Sequence, residues 1–223
     1  IPTKKKKNKK KEKIVTYVGS LVPIHGFHHL ARVWPQILDD VSTAKLIVIG
    51  NGKLYDRNKS LGKWGIAEEN YEKEYIRPYL SDSRGNIDDS VNFKGLLGRE
   101  KIEIMQRSNV GVVNPSGKET FGCAAIEFQA SGTPVVSGAK QGLLDTVENK
   151  RTGLLGQGDE DLVDNIVYLL KNGDVAYKYG QNGIEFVKEK FSYERISKQW
   201  LSLFEDVVKG ESNKVEPVSQ YPF

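Results

Sequence analysis

Residues Val110 to Ser137 read VGVVNPSGKETFGCAAIEFQASGTPVVS. Val110 to Val113 is apolar throughout and is bounded by Asn114 and Pro115, the mark of a strand buried on both faces. A loop carrying Pro115 and Gly117 follows, and ETFG then marks the start of a helix over Gly122 to Ser131. Pro134 to Ser137 forms the next buried strand. Strand, helix and strand in succession make a βαβ unit, which places the two strands parallel in one sheet.

The same alternation runs through the rest of the chain. Ile14 to Val18 (IVTYV) reads as a first buried strand ending at Gly19. Gly26 to Asp39 reads as a helix, because Phe27, Leu30, Ala31, Trp34, Ile37 and Leu38 recur at helical spacing; Pro35 is expected to bend it or mark its boundary. Ala44 to Ile49 is a second strand, closed by Gly50-Asn51-Gly52. Val91 to Lys94 and Gly153 to Leu155 add strands, Arg99 to Arg107 a helix, and Asp159 to Lys171, Val175 to Lys190 and Tyr193 to Lys209 three more helices. The polar stretch Lys53 to Ser90 reads as a surface excursion with a helix near Glu68 to Tyr79 and a turn at Ser83 to Asn86. The predicted fold is α/β, a single Rossmann-like doubly wound parallel sheet covered by helices on both faces.

Composition narrows the function classes. With 38% hydrophobic and 28% charged residues, the 223-residue chain is an ordinary globular sequence and not a collagen, a coiled coil or a disordered chain. Its apolar runs, such as Leu46 to Ile49, fall far short of the roughly 18 residues of a membrane span. The start is basic but lacks the apolar core of a secretory signal, and Cys123 is the one cysteine, so no internal disulfide is possible. A cytoplasmic location is expected. A chain opening at Ile1 instead of Met is also expected to be a fragment or a processed product.

The net charge of +4 is unevenly spread: residues 1–13 hold eight Lys and one Glu and carry +7, leaving the remainder at −3. Lys4, Lys5, Lys6, Lys7, Lys9, Lys10, Lys11 and Lys13 thus form a tail or interdomain linker extended by self-repulsion. Peripheral contact with an anionic membrane at its inner face is the second reading of the tail; nucleic acid is not expected, because the body is acidic. Residues 14–209 form the folded domain and 210–223 a C-terminal tail.

In an open doubly wound sheet, ligands lie at the carboxyl ends of the strands, where strand order reverses. Glu119 stands at the lip of the Gly122 helix and Glu127 lies eight residues later, about two turns along and on the same face. Between them the unpaired N–H groups near Phe121, Gly122 and Cys123 favour an anion, and Gly122 lets the backbone approach it. Carboxylate, anion site and carboxylate suit a ligand with a sugar at one end, phosphate in the middle and a ribose at the other.

ETFGCAAIEFQASGTPVV resembles the ExxxxxxxE signature in the C-terminal, donor-binding domain of retaining GT-B glycosyltransferases, glycosyltransferase family 4 in particular. YVGSLVPIHGFHHL, AKLIVIGNG, VNFKG, SGAKQGLLDTVENKRTGLL and FSYERISKQWLSLFEDV resemble further family segments in the expected order, over roughly residues 14–208. The resemblance implies a nucleotide-sugar donor domain over residues 14–209, the C-terminal half of a GT-B fold. It implies transfer of a hexosyl unit from a nucleotide diphosphate sugar, UDP or GDP type, to a glycan, lipid-linked or other acceptor, with no cofactor and no metal. An N-terminal acceptor-binding domain, in cis or in trans, is then the partner the isolated domain needs, and cell-surface polysaccharide synthesis is the family's usual setting.

By the same resemblance Glu119 is the catalytic position that contacts hydroxyls of the transferred sugar, and Glu127 binds the ribose. Thr120, Phe121, Gly122 and Cys123 supply backbone contacts to sugar and diphosphate, Phe93 and Gly95 border the base, and Gly19, Ser20 and His25 lie at the diphosphate. The family commonly has Arg and Lys where this chain has Ser20 and His25. A non-catalytic nucleotide-sugar binding module is therefore the alternative, and an interaction domain run by the Lys tail a third reading. His25, His28 and His29 make a poor zinc set without nearby carboxylates or cysteines, and Cys123 reads as a small packing residue. Trp34, Trp64 and Trp200 read as core or interface residues. Leu201, Phe204 and Val208 form an apolar face expected to pack on an absent domain.

Overall fold

The computed structural model describes residues 12–53, 58–116 and 118–210; Lys4 to Lys11, Gly117 and residues 211–223 lie outside them. Among the described residues six strands form one sheet: β1 (Lys13–Val18), β2 (Ala44–Ile49), β3 (Val91–Gly95), β4 (Val110–Val113), β5 (Val135–Gly138) and β6 (Gly153–Gly156). Their order is β3-β2-β1-β4-β5-β6 and every pairing is parallel. β1 takes in Lys13, so the sheet opens at the last residue of the expected Lys-rich tail.

Helices cover both faces. They are α1 (Phe27–Asp40), α2 (Glu69–Tyr71), α3 (Arg77–Leu80), α4 (Lys101–Arg107), α5 (Cys123–Ala130), α6 (Leu143–Thr146), α7 (Gly158–Lys171), α8 (Gly173–Phe191) and α9 (Tyr193–Lys209). Strand neighbours point to opposite faces, and the core divides accordingly. Val112 and Val136 join the cluster under α1 and α7, whereas Val113 and Val135 join Met105, Phe128 and Leu143. Gly111 of β4 is where the second layer closes: a β-carbon there would stand 2.5 Å from the Phe128 ring, so only glycine lets α5 settle onto the strand.

Two expectations are corrected. Pro35 was expected to bend the helix or mark its boundary, and it is not a boundary: α1 runs through it to Asp40. Trp34 and Ile37 on either side are buried and the Trp34 indole donates to Ser90 Oγ at 2.9 Å, while Pro35 itself faces solvent. The stretch read as a surface excursion is partly core: Ala67, Tyr71, Ile76 and Leu80 are buried and belong to the α1 cluster. Between α2 and α3 a π-helical turn, Glu72–Ile76, carries Glu72 fully inside, where its carboxylate accepts the Trp64 N–H at 2.7 Å and the Ile66 N–H at 3.2 Å. The polar composition misled because this charged residue is spent on capping a loop from within.

Replacing Glu72 by Ala strands two covered N–H groups and should lower stability by about 2–4 kcal/mol in urea denaturation. A loss within about 0.5 kcal/mol, the range of ordinary surface substitutions, would instead restore the solvated-excursion reading.

Candidate functional site

Strand order reverses between β1 and β4, and the loops leaving them touch. Ser116 Oγ donates to the Ile24 carbonyl at 2.9 Å, and a β-carbon on Gly26 would meet the Ser116 backbone nitrogen at 2.6 Å. The centre of the second loop is Asn114, which is buried, 2% exposed, and left-handed at φ 36°. Its amide donates to the Lys118 carbonyl at 3.0 Å and to Glu119 Oε2 at 3.3 Å, while its Oδ1 accepts from Ser116 Oγ at 2.6 Å. Asn tolerates this backbone better than most residues, and the strained turn is what bends Glu119 back over the strand end.

A third loop, after β5, locks the far side. Gly142 N–H donates to the Glu119 carbonyl at 3.0 Å, Thr146 Oγ1 donates to the Phe121 carbonyl at 3.1 Å, and a β-carbon on Gly142 would stand 2.3 Å from the Thr120 carbonyl oxygen. Glu119 to Phe121 is therefore held on both flanks. Gly122 then sits at φ 96° as the residue before α5, so the first free N–H groups of that helix open beside Glu119. Thr120, Phe121 and Cys123 are exposed at this lip, the Phe121 ring standing 5.8 Å edge-on to Phe191.

Beneath the β1 loop, the Tyr17 hydroxyl donates to the His25 carbonyl at 3.1 Å and lies 3.5 Å from the Ser20 carbonyl. Burial pushes the Tyr17 phenol well above its ordinary pKa, with Tyr71 and Glu119 adding to the effect, so it remains a donor. Gly19 and Gly50 touch at the strand ends, where a β-carbon on Gly50 would meet the Gly19 carbonyl at 1.9 Å. Ser20 is buried and His25 half-buried in the loop between.

Glu119 precedes α5, so the two carboxylates do not share one helix face as their spacing suggested. Glu127 lies on α5, paired with Lys101 of α4: Nζ is 2.7 Å from each carboxylate oxygen. The pair borders a cavity of about 530 Å³ lined by Leu97, Ile102, Met105 and Ala130. Phe93 is not part of that lining; its ring packs on Phe27 at 5.9 Å and Trp64 at 6.3 Å. Gly95, at φ 68°, ends β3, its carbonyl taking the Gly50 N–H at 2.8 Å. Sequence reasoning missed Tyr17 and Lys101 as parts of this neighbourhood and gave Asn114 no role in it. A tyrosine inside an apolar strand, two residues before Gly19, was a usable signal for Tyr17; nothing local marks Lys101.

Among the described residues no group of three or more His, Cys, Asp or Glu is placed to hold a metal ion. His29 Nδ1 lies 2.9 Å from Asp159 Oδ1, and Arg32 donates to the other oxygen. Burial works against the Asp159 charge, yet these hydrogen bonds hold its carboxyl below the ordinary range. The Tyr71 hydroxyl takes the His28 N–H at 3.2 Å and lies 2.9 Å from His28 Nδ1. On α9, Trp200, Leu201, Phe204 and Val208 are 54–87% exposed. No helix among the described residues is long and apolar enough to cross a membrane.

A parallel sheet reversing at β1 and β4, with helices on both faces, defines a Rossmann-like domain, and polar side chains and a helix start gather where ligands lie in such sheets. Residues 2–186 match the family described as glycosyl transferases group 1, and the chain belongs to that family. It is similar to the capsular polysaccharide biosynthesis glycosyltransferase CapM of Staphylococcus aureus, 28% identical over 90% of this chain and 48% of that protein. Sucrose-phosphate synthase of Thermosynechococcus elongatus superposes with a TM-score of 0.72 at 30% identity, covering 90% of this chain and 46% of that one. Anabaena HepE, in complex with UDP-glucose, shares the fold with a TM-score of 0.72 at 19% identity over 87% of this chain and 49% of that one. The chain thus spans about half the length of these relatives.

Burial lowers the His28 pKa to about 4, His29 and Arg32 adding to the effect and Asp159 opposing it. The unfolded chain protonates this histidine near its ordinary pKa of about 6.5. The contribution is therefore complete above about pH 6.5 and drains away as pH falls towards about 4. His28→Phe keeps a ring against Tyr71 but cannot titrate, so its denaturation midpoint should fall less than the native one between pH 7 and 4.5. Parallel curves would show that His28 is not held neutral by the fold.

Proposed function

We propose that this chain is the donor-binding domain of a retaining glycosyltransferase, taking a nucleotide diphosphate sugar of the UDP or GDP type. The observation that carries the reading is the convergence of three strand-end loops on Glu119 at the open start of α5. Glu119, accepting from Asn114 and flanked by Gly142, is suited to receive hydroxyls of the transferred sugar. The N–H groups after Gly122 suit the diphosphate, where charge builds as the glycosidic bond breaks. Glu127 accepts the ribose hydroxyls, and the adjoining cavity, large enough for a planar heterocycle and walled by Leu97, Ile102 and Met105, seats the base. HepE, of the same fold, holds UDP-glucose, in keeping with this donor class.

Positioning and electrostatic support of the leaving diphosphate by protein donors would carry the chemistry, with retention at the sugar carbon. The acceptor, glycan or lipid-linked, would be presented by an N-terminal domain in cis or in trans. The exposed α9 face of Trp200, Leu201, Phe204 and Val208 supports that second body. Alone, the domain binds donor and transfers poorly. Ser20 and His25, in place of two stronger cations, favour the second reading, a nucleotide-sugar binding module without catalysis; transfer activity after adding the acceptor domain separates the two.

A thermal-shift panel of UDP, GDP, ADP and their sugar conjugates tests the site. Ligand at about a hundred times its dissociation constant adds roughly 2.7 kcal/mol, several degrees for a chain of this size at about 2–4 °C per kcal/mol. One base class should shift the native chain and not Glu127→Ala. The absence of a shift with every donor would remove the donor reading and the assignments of Glu119 and Glu127.

A further inference from the structure

We infer that Lys101 is a positioning residue that fixes Glu127 as a reader of the ribose diol and so sets a preference for ribonucleotides over 2′-deoxyribonucleotides. This rests on the donor reading above and adds a selectivity to it.

Lys101 is the first residue of α4 and reaches across to α5. Its ammonium lies 2.7 Å from both oxygens of Glu127, so it straddles the carboxylate instead of touching one corner. The lysine side chain is only 25% exposed and the glutamate 42%; the cation is tucked behind and the anion faces outward. A carboxylate offers about four acceptor positions. The ammonium takes two, leaving two on the outer side, the number a vicinal diol fills with its two hydroxyl donors.

Glutamate alone is a poor selector because its side chain must be ordered when ligand arrives, which costs affinity. With Lys101 in place that ordering is already done, and a missing hydroxyl leaves a fixed, charged acceptor unmatched. Of the neighbouring lining, Leu97, Ile102, Met105 and Ala130 are apolar, and among its polar residues, Arg99, Lys101, Gln106 and Ser131, it is Lys101 whose side chain bonds the carboxylate. Loss of a hydrogen bond to a charged group then weakens binding by about tenfold to a hundredfold.

Isothermal titration calorimetry of the full chain with UDP against 2′-deoxy-UDP, and GDP against 2′-deoxy-GDP, reads this ratio. The native chain should favour the ribo form by about tenfold or more. Lys101→Met should bring the ratio close to one, chiefly by weakening the ribo form. Lys101→Arg, whose fork also spans a carboxylate, should restore it. If the methionine variant melts early, Lys101→Gln is read in its place. A Lys101→Met chain that binds both forms more weakly but keeps the native ratio would reduce Lys101 to a brace between helices and overturn the proposal. Loss of the ratio in Glu127→Gln would in that case leave the donor reading standing. A native chain that binds no nucleotide overturns both.

Discussion

β1 bonds β2 on one side and β4 on the other, all three parallel, and this pairing decides where a ligand can lie. A chain leaving β1 turns towards β2 through α1, whereas one leaving β4 turns towards β5 through α5. The two loops therefore diverge from adjacent strand ends and leave a gap between them. Ser116 bridges that gap to Ile24, while Asn114 to Glu119 and Tyr17 to His25 shape each loop from within. Remove the parallel pairing and none of these contacts has a scaffold.

Much of this was legible in the sequence, since period and punctuation are local. VGVV and AKLIVI read as buried strands, and the helix phases of Phe27 to Leu38 and Asp159 to Lys171 were set by their own apolar stripes. The failures came where a distant contact outweighed local chemistry. Pro35 argues against a continuous helix until Trp34 and Ile37 are seen anchored in the core. Glu72 argues for solvent until the two N–H groups of the 64–66 loop are found around it.

The site was legible to the same degree. The lip at Glu119 to Cys123 followed from helix-start chemistry. The partners of its carboxylates did not, because Asn114 works through a backbone conformation and Lys101 through a helix remote from Glu127 in sequence. Phe93, a residue expected to border the base, packs on Phe27 and Trp64, and the apolar lining beside Glu127 comes from α4, α5 and Leu97 of the loop after β3. Helix–helix packing supplies most of it, and that part no strand-end pattern announces.

The three tryptophans report on very different surroundings. Trp34 is sealed at 1% exposure with its indole bonded to Ser90, Trp64 is partly covered, and Trp200 stands 54% open on α9. Indole emission shifts to the red in water, so the chain carries its own optical label on that helix. A soluble quencher will reach Trp200 and leave Trp34 dark to it. Any body that comes to rest on α9 will announce itself as a blue shift and lost quenching, without a dye.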